Sequence, residues 1–307
     1  MERKKFIQHS LLAGAAAFTS LDLFSKNSIS AKGSDNKPFN LNYATHEGMF
    51  RSNGGDNFID QIKFAYDNGI RSIEDNGMMS RTPEMQQKIG DTLAKLGMQM
   101  GVFVITSDNW HWKTSLATGK AEFIERMEKD CREAVNVAKR CNAKWMTVVP
   151  GNYERSLSFD MQTANVINAL RKAAAILEPH GLVMVLEPLS DNPDLFLRHS
   201  HQTYMICKAV NSPACKILFD IYHMQRNEGD LIQNMNKCWD EIGYIQIGDN
   251  PGRKEPGTGE INYKNVFRNI YQKNYKGILG MEHGNASAGK EGELALLKAY
   301  READSFL

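Results

Sequence analysis

Hydrophobic and polar residues alternate with two different periods from residue 38 onward. Short runs rich in β-branched and aromatic residues are followed by longer segments in which apolar residues recur every three or four positions. The first pattern is typical of buried strands and the second of amphipathic helices, so together they predict consecutive βα units. The predicted strands are 39–44, 72–74, 101–105, 145–149, 183–187, 216–220, 244–247 and 278–281. The predicted helices are 58–68, 83–96, 121–140, 161–177, 202–210, 231–241, 263–273 and 291–305.

Eight such units predict one α/β domain, a (β/α)8 TIM barrel that occupies residues 38–307. No segment rich in proline or serine divides this region into two parts. An open, doubly wound sheet is the competing architecture, but no GxGxxG motif follows the first predicted strand. The sequence therefore favours a closed barrel.

The first thirty residues have the composition of an export signal. Residues 3–5 are basic and precede an apolar run of small residues at 11–18, as in a secretory signal. The run 3–6 resembles a twin-arginine signal in which lysine replaces the second arginine. We predict a signal segment at 1–30 and a linker at 31–37, with an uncleaved amphipathic extension as the alternative. A functional signal makes the protein periplasmic, with no membrane anchor in its mature form; otherwise the protein is cytoplasmic.

The overall charge is close to zero, because 37 basic residues stand against 36 acidic ones and the net charge is +1. Such a chain has no bulk attraction for nucleic acid or anionic membranes. A small-molecule substrate, either a keto acid or a sugar, fits this charge balance better. The five cysteines show no CxxC spacing and are interpreted as buried free thiols. A homo-oligomer is compatible with the sequence.

Four predicted strands end in a side chain whose oxygen can bind a metal ion. These residues are Glu187, Asp220, Gln246 and Glu282. In a parallel barrel the carboxyl ends of the strands meet on one face, so these side chains are expected to surround one volume. Oxygen ligands favour hard divalent ions, and we predict Mg²⁺ or Mn²⁺. The alternative for any one of the acids is a helix N-cap or a surface ion pair.

A hard cation flanked by two glutamates suggests proton abstraction beside a carbonyl group. The ion would hold a carbonyl and an adjacent hydroxyl oxygen and stabilise the enediolate that forms when a C–H proton leaves. Glu187 and Glu282 are the predicted catalytic base and acid. Such a site moves hydrogen between neighbouring carbons, or inverts one carbon, without a redox cofactor.

Loops that follow the strands supply the predicted substrate-binding residues, which are His223, Arg253, His46 and Trp112. The Arg253 guanidinium offers a planar set of donors to a carboxylate or to vicinal hydroxyls. Its alternative role is an ion pair with Glu255 or Glu260 of the same loop, and the alternative for Trp112 is packing among loops. Glu74, at the end of the second predicted strand, is a further candidate for an inward-pointing acid, and its alternative is an ordinary strand-end acid.

Two segments carry a resemblance to a known family. Segments 219–230 and 245–263 look like the signature segments of the hydroxypyruvate isomerases, which belong to the xylose isomerase-like TIM barrels. The resemblance implies that the four strand-end residues occupy the family's metal-binding positions and that the two glutamates are also catalytic. It also implies that His223 and Arg253 lie near the substrate.

The resemblance implies an isomerase that acts on hydroxypyruvate or a small keto sugar through an enediolate intermediate. The chain departs from the family pattern after its last glutamate, where His283-Gly284-Asn285 replaces a tyrosine-lysine pair. A sugar substrate therefore has equal standing with a keto acid. The alternatives are a ketose epimerase of the same superfamily, a noncatalytic sugar-binding barrel and a nuclease like endonuclease IV. The nuclease would need more histidine ligands and a basic surface.

Overall fold

The computed structural model describes residues 37–307, in which a parallel sheet is surrounded by helices. The predicted signal segment and all but the last residue of the predicted linker lie outside the described residues. The strands are β1 (Asn42–Thr45), β2 (Ser72–Ile73), β3 (Gln99–Met100), β4 (Phe103–Val104), β5 (Trp145–Val148), β6 (Val183–Leu186), β7 (Cys215–Asp220), β8 (Ile242–Gln246) and β9 (Ile278–Gly280). Their order in the sheet is β3-β2-β1-β9-β8-β7-β6-β5-β4, and the strand pairs are parallel.

The two strands at the ends of this order, β3 and β4, are consecutive pieces of one segment. The Gly101 N–H between them donates to the Ile73 carbonyl of β2 at 2.6 Å. The Ile105 N–H after β4 donates to the Thr147 carbonyl of β5 at 3.1 Å. Because this one segment bonds to both of its neighbours, the nine strands curl into a TIM-barrel-like sheet.

The single strand predicted at 101–105 is therefore wrong in detail, since the structure has two short strands here, with β3 ending before Gly101 and β4 beginning after Val102. The reason lies at Gly101, where an added Cβ would overlap the Tyr244 hydroxyl and the Ile73 carbonyl oxygen. A glycine inside a strand often marks such a close approach and interrupts regular pairing.

Helices cover the outer face of the sheet. They are α1 (Arg51–Gly54), α2 (Phe58–Asp67), α3 (Pro83–Leu96), α4 (Ala121–Cys141), α5 (Phe159–Leu177), α6 (Ser200–Val210), α7 (Ile221–Asn227), α8 (Leu231–Lys237), α9 (Tyr263–Gln272) and α10 (Gly289–Ala303). The α3 bounds agree with the prediction, because Thr82 caps its first turn and Gly97 ends it with a left-handed φ of 65°. In the described part of the chain, no helix is long and apolar enough to cross a membrane.

Helix α7 begins directly after β7, where the sequence analysis predicted a loop. Its seven residues make only two turns, too few for helical periodicity to be visible in the sequence. Asp220 stabilises its start, since Oδ1 accepts hydrogen bonds from the Tyr222 N–H at 2.7 Å and the His223 N–H at 3.3 Å. The predicted helix 231–241 is also shorter, because α8 ends at Lys237 and a 3-10 turn follows.

The apolar core has two layers. The larger layer lies between the sheet and the helices and includes the buried faces of α2 to α6 and α9. A small inner cluster consists of Ala44, Val102, Val185, Leu218, Tyr244 and Ile278. Alternate strand residues point to opposite faces, so β1, β6, β7, β8 and β9 contribute to both layers.

The first prediction concerns Gly90, at the contact between α3 and α4. Gly90 lies within α3, and a Cβ at this position would overlap the Arg140 carbonyl oxygen near the end of α4. We expect Gly90→Ala to lower the free energy of unfolding by about 1–3 kcal/mol, although alanine is the better helix former by about 1 kcal/mol. Chemical denaturation followed by circular dichroism measures the change.

The exposed Lys88 on the same helix provides the control, and Lys88→Ala is expected to change the unfolding free energy by less than about 0.5 kcal/mol. A Gly90→Ala variant more stable than the wild type would contradict the close approach of these two helices.

Candidate active site

Four titratable side chains meet at the carboxyl end of the sheet. Glu187 directly follows β6, Asp220 ends β7, His223 lies in the first turn of α7 and Glu282 follows β9. One ligand atom of each lies within 4.8 Å of those of the other three. This is the face on which active sites of parallel barrels are built.

Asp220 has two roles at this site. Its Oδ1 caps α7, while its Oδ2 lies 3.2 Å from Arg253 Nη2 and 3.5 Å from His223 Nε2. The helix-cap alternative considered for strand-end acids is thus realised at Asp220, and the other oxygen of the same carboxylate still faces the cluster. A carboxylate has enough lone pairs to cap the helix with one oxygen and to accept or bind in the cluster with the other.

Arg253 supplies the positive charge seen within the cluster. Its Nη2 donates to Glu282 Oε2 at 2.7 Å and to Asp220 Oδ2 at 3.2 Å, and its Nε donates to the Glu282 carbonyl oxygen at 3.1 Å. The guanidinium also lies 5.0 Å from the Tyr222 ring centre. Arg253 therefore pairs with strand-end acids and not with Glu255 of its own loop, which accepts from the Ala286 N–H at 2.8 Å.

The hydrogen bonds of His223 fix its tautomer. The Ser190 backbone N–H donates to Nδ1 at 3.2 Å, so Nδ1 is an acceptor and the proton of the neutral ring lies on Nε2. The Ser190 hydroxyl lies 2.8 Å from the same Nδ1 atom. Burial lowers the pKa of His223 below its ordinary value, against the opposing effect of Asp220. His223 therefore presents an N–H donor to the cluster, with Nε2 3.9 Å from Glu187 Oε1.

Gln246 ends β8 in register with Asp220 of β7. Its Nε2 donates to Glu74 Oε2 at 3.3 Å, while its Oε1 is buried without a hydrogen-bond partner among the described residues. A buried amide oxygen without a partner loses its hydration, so a ligand for this oxygen is expected.

Glu282 is held at both carboxylate oxygens, because Asn76 Nδ2 donates to its Oε1 at 3.0 Å and Arg253 Nη2 donates to its Oε2 at 2.7 Å. Among the described residues, no donor lies within hydrogen-bonding distance of the Glu187 carboxylate. Asn76 was not among the residues predicted from the sequence. The available signal was its place directly after the strand-end acids Glu74 and Asp75.

Burial is the largest cause of the raised pKa values of Glu187 and Glu282. It raises the pKa of Glu187 well above its ordinary value, and the neighbouring Glu282 and Asp220 charges raise it further. Burial likewise raises the pKa of Glu282 to about 7, although Arg253 opposes the shift. Several buried carboxylates beside one guanidinium leave negative charge that a divalent cation would neutralise. The oxygen donors present, including the unpartnered Gln246 Oε1, fit a hard ion.

The remaining predicted residues lie farther from the cluster. His46 Nε2 is 3.1 Å from the carbonyl oxygen of His283, the residue after Glu282. Trp112 is 39% exposed, and its ring packs against His111 with centres 5.4 Å apart. In the described part of the chain, no hydrogen bond or ring contact joins either side chain to the carboxylates.

The fold and this cluster define a family. Residues 62–303 match the family model described as the xylose isomerase-like TIM barrel. Because this match covers most of the chain, the chain belongs to the xylose isomerase-like TIM barrel family.

Individual relatives are isomerases by name. Hydroxypyruvate isomerase from Escherichia coli (strain K12) is 36% identical over 152 residues, a match that covers 49% of this chain and 59% of that protein. The chain thus spans less than two thirds of that relative's length. A 2-oxo-tetronate isomerase from Pectobacterium atrosepticum is 27% identical over 76% of this chain and 89% of its own length. These matches confirm the resemblance that segments 219–230 and 245–263 carry.

A solved structure has a similar fold. The AP endonuclease, family 2, from Brucella melitensis superimposes with a TM-score of 0.74 at 23% identity. The superposition covers 85% of this chain and 99% of that one. At this level of identity the likeness shows the fold alone.

The second prediction concerns His283, the residue after Glu282, whose ring hydrogen-bonds to groups outside the cluster. His283 Nδ1 donates to the Gly284 carbonyl oxygen at 3.1 Å, and Nε2 accepts from the Tyr300 hydroxyl at 2.7 Å. Burial lowers the pKa of His283 to about 3. The folded state therefore excludes a proton that the unfolded chain accepts near pH 6.5, so stability falls as the pH drops from about 6.5 towards 3.

We expect the wild type to lose up to about 1.4 kcal/mol of unfolding free energy per pH unit in this window relative to His283→Asn. Denaturant unfolding at several pH values between 4 and 7.5 measures the slope. His180→Asn, at an exposed position, is the control and should show the same slope as the wild type. Parallel curves for the wild type and His283→Asn would contradict the buried neutral ring.

Proposed function

We propose that the protein is a metal-dependent isomerase of hydroxypyruvate or a small keto sugar, acting through an enediolate intermediate. The observation that carries this proposal is the approach of the Glu187, Asp220 and Glu282 side chains to within 4.8 Å at the strand ends. The isomerase names of the relatives support the reaction class. An oxygen-rich cluster at the carboxyl end of a barrel suits reactions beside a carbonyl.

Glu187, Asp220, Gln246 and Glu282 would hold the ion, which is Mg²⁺ or Mn²⁺ in this proposal. When bound, the ion supplies Lewis-acid stabilisation of negative charge on neighbouring substrate oxygens. His223 is not included among the ligands, because its Nε2 carries the proton. That N–H is instead a donor for a substrate oxygen.

The two glutamates would share proton transfer. Glu187 has a raised pKa and a carboxylate without a protein donor in the described part of the chain, which suits a base that takes a proton from carbon. Glu282 is held by Asn76 and Arg253, which fixes the direction of its carboxyl group. In the reverse reaction the two exchange the roles of base and acid.

Arg253 and His223 would contact the substrate from two loops. Arg253 is anchored by Glu282 and Asp220 and can offer its remaining N–H groups to hydroxyl or carboxylate oxygens. His46 and Trp112 remain proposed contacts at the edge of the site, where the exposed Trp112 ring could wall a pocket. One histidine in the cluster argues against a zinc-cluster nuclease.

Solvent exchange tests the proposal directly. Protein with Mn²⁺ or Mg²⁺ is incubated in deuterated water with hydroxypyruvate, ketoses and their oxidised derivatives, and the products are read by NMR. Deuterium on a carbon beside the carbonyl, dependent on the ion, is expected. Transfer of the carbonyl to the neighbouring carbon indicates an isomerase, whereas inversion at one carbon indicates an epimerase. Substrate binding that survives chelation, with no exchange, would identify a sugar-binding barrel instead.

The third prediction concerns the glutamate pair. Glu187→Gln and Glu282→Gln should each abolish hydrogen exchange at the reacting carbon, because an amide cannot act as a carboxylate base. The assay is run at saturating metal, so that lost ion occupancy is not mistaken for lost chemistry. Glu122→Gln, at an exposed position in α4, is the matched control and should retain exchange. Normal exchange in both site variants would remove the proposed base and acid.

The fourth prediction concerns Arg253. Its loss removes a donor to the substrate and leaves the Glu282 and Asp220 carboxylates without their guanidinium partner. Arg253→Ala should therefore reduce kcat/KM by the equivalent of about 2–4 kcal/mol. Steady-state kinetics at saturating metal measure the loss. Unchanged kinetic constants would limit Arg253 to a structural ion pair.

A further inference from the structure

A buried hydrogen-bonded group made by Glu74, Tyr244 and Gln246 lies beside the candidate site. Glu74 directly follows β2 and is 1% exposed. Its Oε2 accepts from the Tyr244 hydroxyl at 3.1 Å and from Gln246 Nε2 at 3.3 Å. Strands β2 and β8 are not neighbours in the sheet, so these bonds cross the interior of the barrel.

Two glycines leave room for this group. A Cβ at Gly280 of β9 would overlap the Glu74 carboxylate, and a Cβ at Gly101 would overlap the Tyr244 hydroxyl. Any other residue at either position would displace one member of the group. The inner face of the barrel is thus shaped around these three polar side chains.

The contact with Glu74 selects one orientation of the Gln246 side chain. The two ends of an amide group have nearly the same shape, but one donates hydrogen bonds and the other only accepts them. An acceptor oxygen of Glu74 favours the Nε2 end, since the opposite orientation would bring two acceptors together. The Oε1 end is left buried and without a partner among the described residues.

We propose that Glu74 is a positioning residue that holds the Gln246 amide with its oxygen available to the divalent ion. Glu74 acts through Gln246, which lies in register with the ligand Asp220 on the neighbouring strand. Partners of this kind orient the ligands of metal sites and so contribute to ion affinity. The proposal rests on the proposed function, because it requires Gln246 to bind the ion.

Isothermal titration of the full chain with Mn²⁺ tests the proposal. Glu74→Met removes the acceptor and should weaken Mn²⁺ binding roughly 10-fold to 100-fold. Glu74→Gln retains an oxygen that can accept the same two hydrogen bonds, and its affinity should stay close to that of the wild type. Equal losses in both variants would assign the effect to the charge of Glu74 and overturn the positioning role. Unchanged affinity in Glu74→Met would overturn it as well.

A double-variant cycle separates positioning from general damage to the fold. If Glu74 acts through Gln246, Glu74→Met should weaken Mn²⁺ binding no further when it is added to the Gln246→Leu variant. Additive losses would overturn the proposal. Tyr244→Phe removes the other donor to the same oxygen, so it should lower the melting temperature without the loss of ion affinity seen in Glu74→Met. An equal loss of affinity in Tyr244→Phe would show that disturbance of the interior alone weakens the ion, and would overturn the role of Glu74.

The wild-type titration separates failure of the metal site from failure of the positioning role of Glu74. A wild type that binds no Mn²⁺ would overturn the ion site of the proposed function and the positioning role with it. A wild type that binds Mn²⁺, together with an unchanged Glu74→Met variant, would leave the ion site standing and overturn only the role of Glu74.

Discussion

The removal of several carboxylates from water at one end of the barrel is the constraint on which the rest of the site depends. Burying a carboxylate without a partner destabilises the folded state by roughly several kcal/mol, and neighbouring like charges destabilise it further. Arg253 meets Glu282 and Asp220 from its loop with a left-handed φ of 50°, a conformation that non-glycine residues seldom adopt. One guanidinium is not enough for the whole group, and this imbalance is the physical argument for a divalent cation.

Asp220 joins this charge cluster to the local fold. The same carboxylate that faces Arg253 also caps α7, and α7 carries both His223 and the Tyr222 ring beneath the guanidinium. A displacement of Asp220 would therefore move the start of α7, the His223 side chain and the Arg253 guanidinium together. The Ser190 N–H, from the loop after the neighbouring strand β6, donates to Nδ1 on the other edge of the His223 ring. The geometry of the site is thus held by hydrogen bonds between neighbouring βα loops, and the long Arg253 side chain makes three of them.

The sequence predicted the elements that show a regular hydrophobic period. It did not predict features that depend on contacts between residues distant in the chain. The βα alternation predicted most helices and strands within a few residues of their observed bounds, and strand ends predicted the four residues of the metal hypothesis. It did not show that the segment 99–104 is interrupted at Gly101, because the close approach of Tyr244 and Ile73 from other strands explains the interruption. It did not identify Asn76, whose contact with Glu282 joins residues 206 positions apart. Helix α7 was missed because its two turns are too short to display a period.

The segment after Glu282 bears on the kind of substrate the site can accept. His283 is committed to Tyr300 and to the Gly284 carbonyl, and Asn285 donates to the Met49 carbonyl at 2.9 Å, so these side chains serve packing. A substrate carboxylate could accept hydrogen bonds from the Arg253 N–H groups that Glu282 and Asp220 do not use. Substrate hydroxyls could accept from the same N–H groups while both ion pairs persist. Residues 283–285 thus add no positive charge for a substrate carboxylate, and the proposed keto acid and keto sugar would both meet Arg253.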